Sequence, residues 1–247
     1  MKGNGILITS LLIFLPGAAF SGAMGTIANR DSSVISLSAG PLWTESGKAQ
    51  TLFLEPDLQK TYTSVKTSQT LFAGELFLGL QRSIKPTVLG QIGIAVAATS
   101  QLTLNGDIWE DADPDFNDFY YRYKVNHAHV AVKGKLIADR GYFAQPYLSG
   151  SVGVGFNRAS DFIIIPKIFE QLPGPGFASH NSTTFTYTVG IGLQKAISQH
   201  FQAGIGYEFA DWGQYNLGLA REQTLNSSLG LNHVYAHQLQ FSLSYVV

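Results

Sequence analysis

Eight stretches of this chain alternate apolar and polar residues with a period of two, and each is eleven residues or longer. They cover about 33–43, 71–82, 87–99, 121–138, 142–157, 184–197, 200–210 and 233–247. In the fourth, Ala128, Val130, Val132 and Leu136 oppose His127, His129, Lys133 and Lys135. In the last, Leu239, Phe241, Leu243, Tyr245 and Val247 oppose Gln238, Gln240, Ser242 and Ser244. Strict alternation marks a strand with one apolar and one polar face, yet globular strands usually end near 5–6 residues. A tilted strand crossing a bilayer needs about 9–11. A sheet in lipid must also close on itself, because an open edge leaves backbone groups unsatisfied.

Composition agrees. Only 13% of the 247 residues are charged, against 45% hydrophobic, where a soluble domain carries about 25% charged. The formal net charge of −1 lacks the clustered basic excess of a nucleic-acid footprint. With no cysteine there is no disulfide framework, thiolate metal site or cysteine nucleophile. The N-terminus supplies an address: Lys2, an apolar run over 6–15, the breakers Pro16 and Gly17, then small residues up to Ala23. The run is too short to span a membrane, so residues 1–23 read as a secretory signal, with cleavage after Ala23 or Ser21, and 24–247 as the mature domain.

The connections carry a second signal. They alternate long and short: about 44–70, 100–120, 158–183 and 211–232 are long, while 83–86, 138–141 and 198–199 are tight. Outer-membrane barrels have short periplasmic turns and long external loops. The predicted fold is therefore all-β, an eight-stranded antiparallel up-and-down transmembrane barrel with four long external loops. A soluble, lipocalin-like barrel would need a charged outer face that these strands lack. Aromatic residues sit at strand ends, as headgroup girdles require: Trp43, Phe72, Tyr123, Phe156, Phe185, Tyr207, Phe209 and Tyr235 at one end, Tyr142, Phe201 and Tyr245 at the other.

The stretch 145–157, QPYLSGSVGVGFN, and the alternating last strand with Tyr245 resemble the small outer-membrane barrels of the OmpA, OmpX and opacity type. The resemblance extends as a pattern over the mature chain. It implies a monomer in the outer membrane, crossing it many times, among lipid and lipopolysaccharide. It also implies insertion by the barrel assembly machinery, which in that family reads the last strand. The family usually ends in Phe, whereas this chain ends in Val247.

An eight-strand lumen is only wide enough for side chains to fill it, and the polar strand faces point into it. Glu75, His127, His129, Lys133 and Glu208 form the expected lumen network, with Glu75 or Glu208 paired to Lys133 because a buried charge needs a partner. A proton-sensing lumen built on His127 and His129 is the sharper alternative. Inward glycines at 153 and 155, 190 and 192, and 204 and 206 leave room for bulk from the opposite wall; no helix follows them to cradle a phosphate. The second long loop carries Asp107, Glu110, Asp111, Asp113, Asp115 and Asp118. It resembles the opening of a calcium loop, but Phe116 replaces the required Gly and Arg122 the closing Glu. It reads as a solvated acidic loop, with no metal site assigned and adventitious divalent binding near lipopolysaccharide as the alternative. The third loop exposes Phe162, Ile164 and Phe169 in an apolar run, which marks a partner site or a lid.

Asp111, Asp113, Asp115, Phe162, Ile164 and Phe169 are thus the candidate surface-contact residues for a host or surface ligand. No catalytic residue or cofactor is expected. The functional reading is a structural or adhesin-like surface barrel with a plugged lumen. A narrow diffusion pore is the alternative, and a lipid A-modifying enzyme drawing on His127, His129 and Ser149 is the third.

Overall fold

A computed structural model describes residues 31–44, 47–65 and 69–247; the signal segment lies outside the described residues. The strands are β1 (Ser32–Thr44), β2 (Gln50–Glu55), β3 (Leu58–Tyr62), β4 (Leu71–Lys85), β5 (Val88–Thr99), β6 (Leu102–Glu110) and β7 (Phe119–Ala138). They continue as β8 (Gln145–Pro166), β9 (His180–Ala196), β10 (Phe201–Asp211), β11 (Tyr215–Asn216), β12 (Gly230–Leu231) and β13 (Tyr235–Val246). Eight of them close a ring of antiparallel pairs in the order β1, β4, β5, β7, β8, β9, β10, β13 and back to β1. Closure gives each of these eight strands a paired neighbour on both sides within the ring; the sheet's free edge lies on β2, outside the ring.

Alternation sets the facing. On β7, Val132 is 55% exposed while its neighbour Lys133 is 7% exposed. Ile35, Leu37, Leu78, Ile94, Val152, Ile191, Ile205 and Phe241 all stand outward on the ring, whereas Ser36, Ser38, Gln91, Ser149, Ser151, Thr188 and Gln240 are buried inside it. The outer wall is therefore an apolar band around a polar core, the reverse of a soluble barrel. Glycine makes the interior packable. A Cβ on Gly192 would lie 2.6 Å from the Tyr147 hydroxyl, and one on Gly206 would clash with the same group, so Tyr147 occupies the space those glycines vacate.

Within the ring a small inward apolar cluster forms from Val34, Phe77 and Ala95; the larger one lies above the ring, where the long connections fold into a cap. The hairpin of β2 and β3 pairs through β3 with β6, and β6 pairs with the first part of β7. The last connection, with β11 and β12, lies against β2: the Thr224 and Leu225 amides donate to the Leu54 carbonyl, and the Gln50 side chain donates to the Gly230 carbonyl. The third connection is tied to the last by the bridge between Phe177 and Ala220. Between these layers lies one apolar core that includes Leu42, Leu54, Tyr62, Ile108, Phe119, Tyr121, Tyr123, Trp212, Leu217 and Leu229.

Three expectations change. The acidic second loop is partly sheet: Asp107 and Glu110 belong to β6, where they pair with Lys167 and Lys60, each at 2.8 Å. Tyr123 leaves the girdle for the cap core, because period two from His127 keeps it on the inward face. The strand β8 runs on to Pro166, and Asp161, at φ 57°, interrupts its alternation as the β7–β8 register shifts. An extra residue in one strand exchanges its faces. Phe162 and Ile164 therefore pack against the cap core instead of facing solvent, while Ile163 and Ile165 turn outward.

Candidate functional site: the filled lumen and its cap

The lumen is a stack of polar layers. At the short-turn end, Gln194 donates to Gln202 at 2.9 Å and Gln91 donates to Gln81 at 2.8 Å. Above them the Lys135 ammonium lies 3.9 Å from the centroid of the Tyr147 ring. Ser244 donates to Ser36 at 2.9 Å across the β13–β1 seam.

The charged layer follows. Lys133 Nζ is 2.7 and 2.8 Å from the two carboxylate oxygens of Glu75 and 2.7 Å from Glu208 Oε2. All three residues are buried. Isolated charges could not remain there, but an ammonium with three charge-assisted hydrogen bonds offsets much of the desolvation cost.

The next layer is built on imidazole. Asn157 donates through Nδ2 to the carbonyls of Trp212 and Gln214, each at 2.8 Å, which turns its Oδ1 toward His127 Nδ1 at 2.6 Å. An amide oxygen only accepts, so His127 carries its proton on Nδ1. In neutral His127 the opposite nitrogen, Nε2, then accepts from His129 Nδ1 at 2.9 Å. The two facing nitrogens thus share one proton, while the outer nitrogen of His129, Nε2, is buried with no hydrogen-bond partner among the described residues. Among the described residues there is no group of three His, Cys, Asp or Glu able to hold a metal ion. Trp212 stacks on His127, with centroids 4.7 Å apart and planes at 14°, and roofs the layer. Small voids of about 30 and 20 Å3 lie below and above the charged layer. A single water needs about 10–15 Å3, so each void has room for one or two waters.

All five candidate lumen residues therefore meet in one column. The candidate surface residues do not gather in this way. Asp111 and Asp115 are exposed, and Asp113 accepts from the Asp115 amide at 2.9 Å to cap a 3-10 turn, Pro114–Phe116. Phe169 is 91% exposed, with Leu172 near it at 89%, at the tip of the third connection. Phe162 and Ile164 lie inside the cap.

No family model and no curated protein matches the chain. Among solved structures, it is similar to the outer membrane protein OprG from Pseudomonas aeruginosa, at 12% identity and a TM-score of 0.43, covering 87% of this chain and 96% of that one. The outer membrane protease OmpT from Escherichia coli gives 9% identity and a TM-score of 0.44, covering 91% and 99%. Neisserial surface protein A gives 12% and 0.41, covering 87% and 96%. At such identities no residue role carries over.

Sequence reasoning passed over Asn157, Trp212 and the cap core. Asn157 and Trp212 fall at the ends of alternating runs, where nothing local says that they will meet His127. The cap core did leave a trace, since Leu102, Leu104 and Ile108 keep one parity within what reads as a loop.

Proposed function

We propose that the protein is an integral outer-membrane barrel, monomeric and closed along its axis, with a structural and surface-contact role carried by its cap. The observation that carries this reading is the Lys133 ammonium held between Glu75 and Glu208, beneath the stacked pair of His127 and Trp212. A side-chain column of this kind supports a plug rather than a pore. The continuous apolar band on the ring supports residence in lipid, among lipopolysaccharide on the outer side. In this orientation the cap lies outside the cell and the tight turns lie in the periplasm. The exposed apolar tip at Phe169 and Leu172 supports contact with a host or surface ligand, with Asp111 and Asp115 as polar neighbours in the adjoining connection. The inward, mutually bonded His127 and His129 support a non-enzymatic role, since lipid-directed chemistry needs groups on the outer wall. Cells displaying the protein should adhere to host-cell or matrix surfaces, and Phe169→Ser combined with Leu172→Ser should abolish adhesion while the amount of protein at the surface is unchanged. Equal adhesion by that variant would remove the contact role from this tip.

A further inference from the structure

Inside the cap, a cavity of about 190 Å3 lies between the β3–β6 sheet and the third and last connections. Leu54, Leu58, Ile108, Phe119 and Ile164 form apolar walls, and Tyr62, Lys60 and Glu110 bring polar atoms to it. A cavity lined by apolar side chains alone stays dry at about 150 Å3 and admits benzene. This one is somewhat larger and carries polar groups, the mixture that small-molecule sites share, although it is smaller than the roughly 300–1,000 Å3 typical of drug-sized ligands.

Tyr62 gives the cavity its direction. The residue is 2% exposed, its ring packs against Tyr121, Phe162 and Phe177, and its hydroxyl has no hydrogen-bond partner among the described residues. Tyr62 lines the empty space, so a molecule in the cavity is the partner its hydroxyl can reach. Burial first, and the nearby Glu110 carboxylate second, hold the phenol well above its ordinary range, so it stays a neutral donor and acceptor. Beside it, Lys60 is joined to Glu110 at 2.8 Å. One of its three ammonium protons points to that carboxylate, and two remain for another acceptor.

The charges around the cavity select the ligand. Lys60 and Arg221 face Glu55, Glu110 and Glu222. An anion would have to share the space with the carboxylates and a cation with Lys60, whereas a neutral molecule avoids both costs. We propose that this cavity binds a small neutral amphiphile of about phenol size, its apolar body against Ile108, Phe119 and Ile164 and its single polar group hydrogen-bonded to the Tyr62 hydroxyl. The site is independent of whether the lumen conducts.

The test uses the full chain in lipid nanodiscs and three fluorinated probes read by fluorine NMR: 4-fluorophenol, fluorobenzene and 4-fluorobenzoate. Saturable binding beyond that of empty nanodiscs is expected for 4-fluorophenol, weaker binding for fluorobenzene, and none for 4-fluorobenzoate. Tyr62→Phe removes a hydroxyl that has no internal partner, so the fold should persist by circular dichroism. That variant should lose about five- to tenfold in 4-fluorophenol affinity, the worth of one hydrogen bond, with fluorobenzene unchanged. Ile108→Trp should fill the space and abolish both; if it misfolds, the Tyr62→Phe comparison alone decides. Signals identical to empty nanodiscs, or an equal loss of both probes in Tyr62→Phe, would overturn the proposal, as would tighter binding of the benzoate.

Discussion

Lys133 and Glu75 meet across the lumen through two hydrogen bonds of 2.7 and 2.8 Å, although β7 and β4 are not paired strands. Glu208 comes from β10, which pairs with neither of them, and completes the layer at 2.7 Å. The contact therefore exists only in the closed ring, and it links three separated staves of the barrel.

This geometry ranks the substitutions. Lys133→Met strands two carboxylates against each other and should cost about 3–5 kcal/mol, as breaking a buried pair does. Glu75→Gln or Glu208→Gln leaves Lys133 with one full counter-charge and should cost less, about 1–3 kcal/mol each. Urea unfolding in liposomes measures the order; a glutamate variant less stable than Lys133→Met would reverse it.

Facing is tested on adjacent strands. Val132 points outward near the middle of the apolar band, so Val132→Arg should cost ~2–4 kcal/mol. Ser149 lies inside and is smaller, so Ser149→Ala should change stability by less than about 1 kcal/mol. Equal costs by the same assay would mean that the inner and outer faces are misassigned.

Alkaline pH should open the cap before the ring. Burial holds the Tyr62 and Tyr215 phenols above their ordinary value of 10.0. A raised folded value favours the protonated form, so this contribution to stability is present below pH 10.0 and is lost as pH rises beyond it. Tyrosinate absorbance should show a late cooperative step while the ring keeps its strand signal. Combining Tyr62→Phe with Tyr215→Phe should move that step to higher pH; an unmoved step would separate it from these two groups.

Sidedness has a proteolytic signature. Trypsin added to intact cells should cut at the exposed Arg221 in the cap and leave Arg140, in a tight turn, uncut until the envelope is opened. Cutting at Arg140 first would invert the orientation.

The ring was legible because a period of two is a local signal: Val130 and Val132 against His129 and Lys133 already assign faces and lengths. The lumen charges were legible for the same reason, since a buried lysine requires an acid, although that both acids reach one ammonium depends on ring closure. The cap was not legible. Its strands are short, some of its contacts join residues more than a hundred positions apart, as Gln50 and Gly230 do, and apolar residues in a loop suggest exposure until the loops are seen to fold on one another. Phe162 and Ile164 changed sides through one irregular residue, Asp161, whose left-handed backbone no alternation pattern announces.

The central claim is a closed lumen, and single-channel recording of the purified protein in planar bilayers tests it most directly. With Lys133 bridging Glu75 and Glu208 under the roof of Trp212, the account predicts no steady conductance, at most brief and small openings that become more frequent in Lys133→Met. Steady, large, ion-selective currents from the unmodified protein would contradict it.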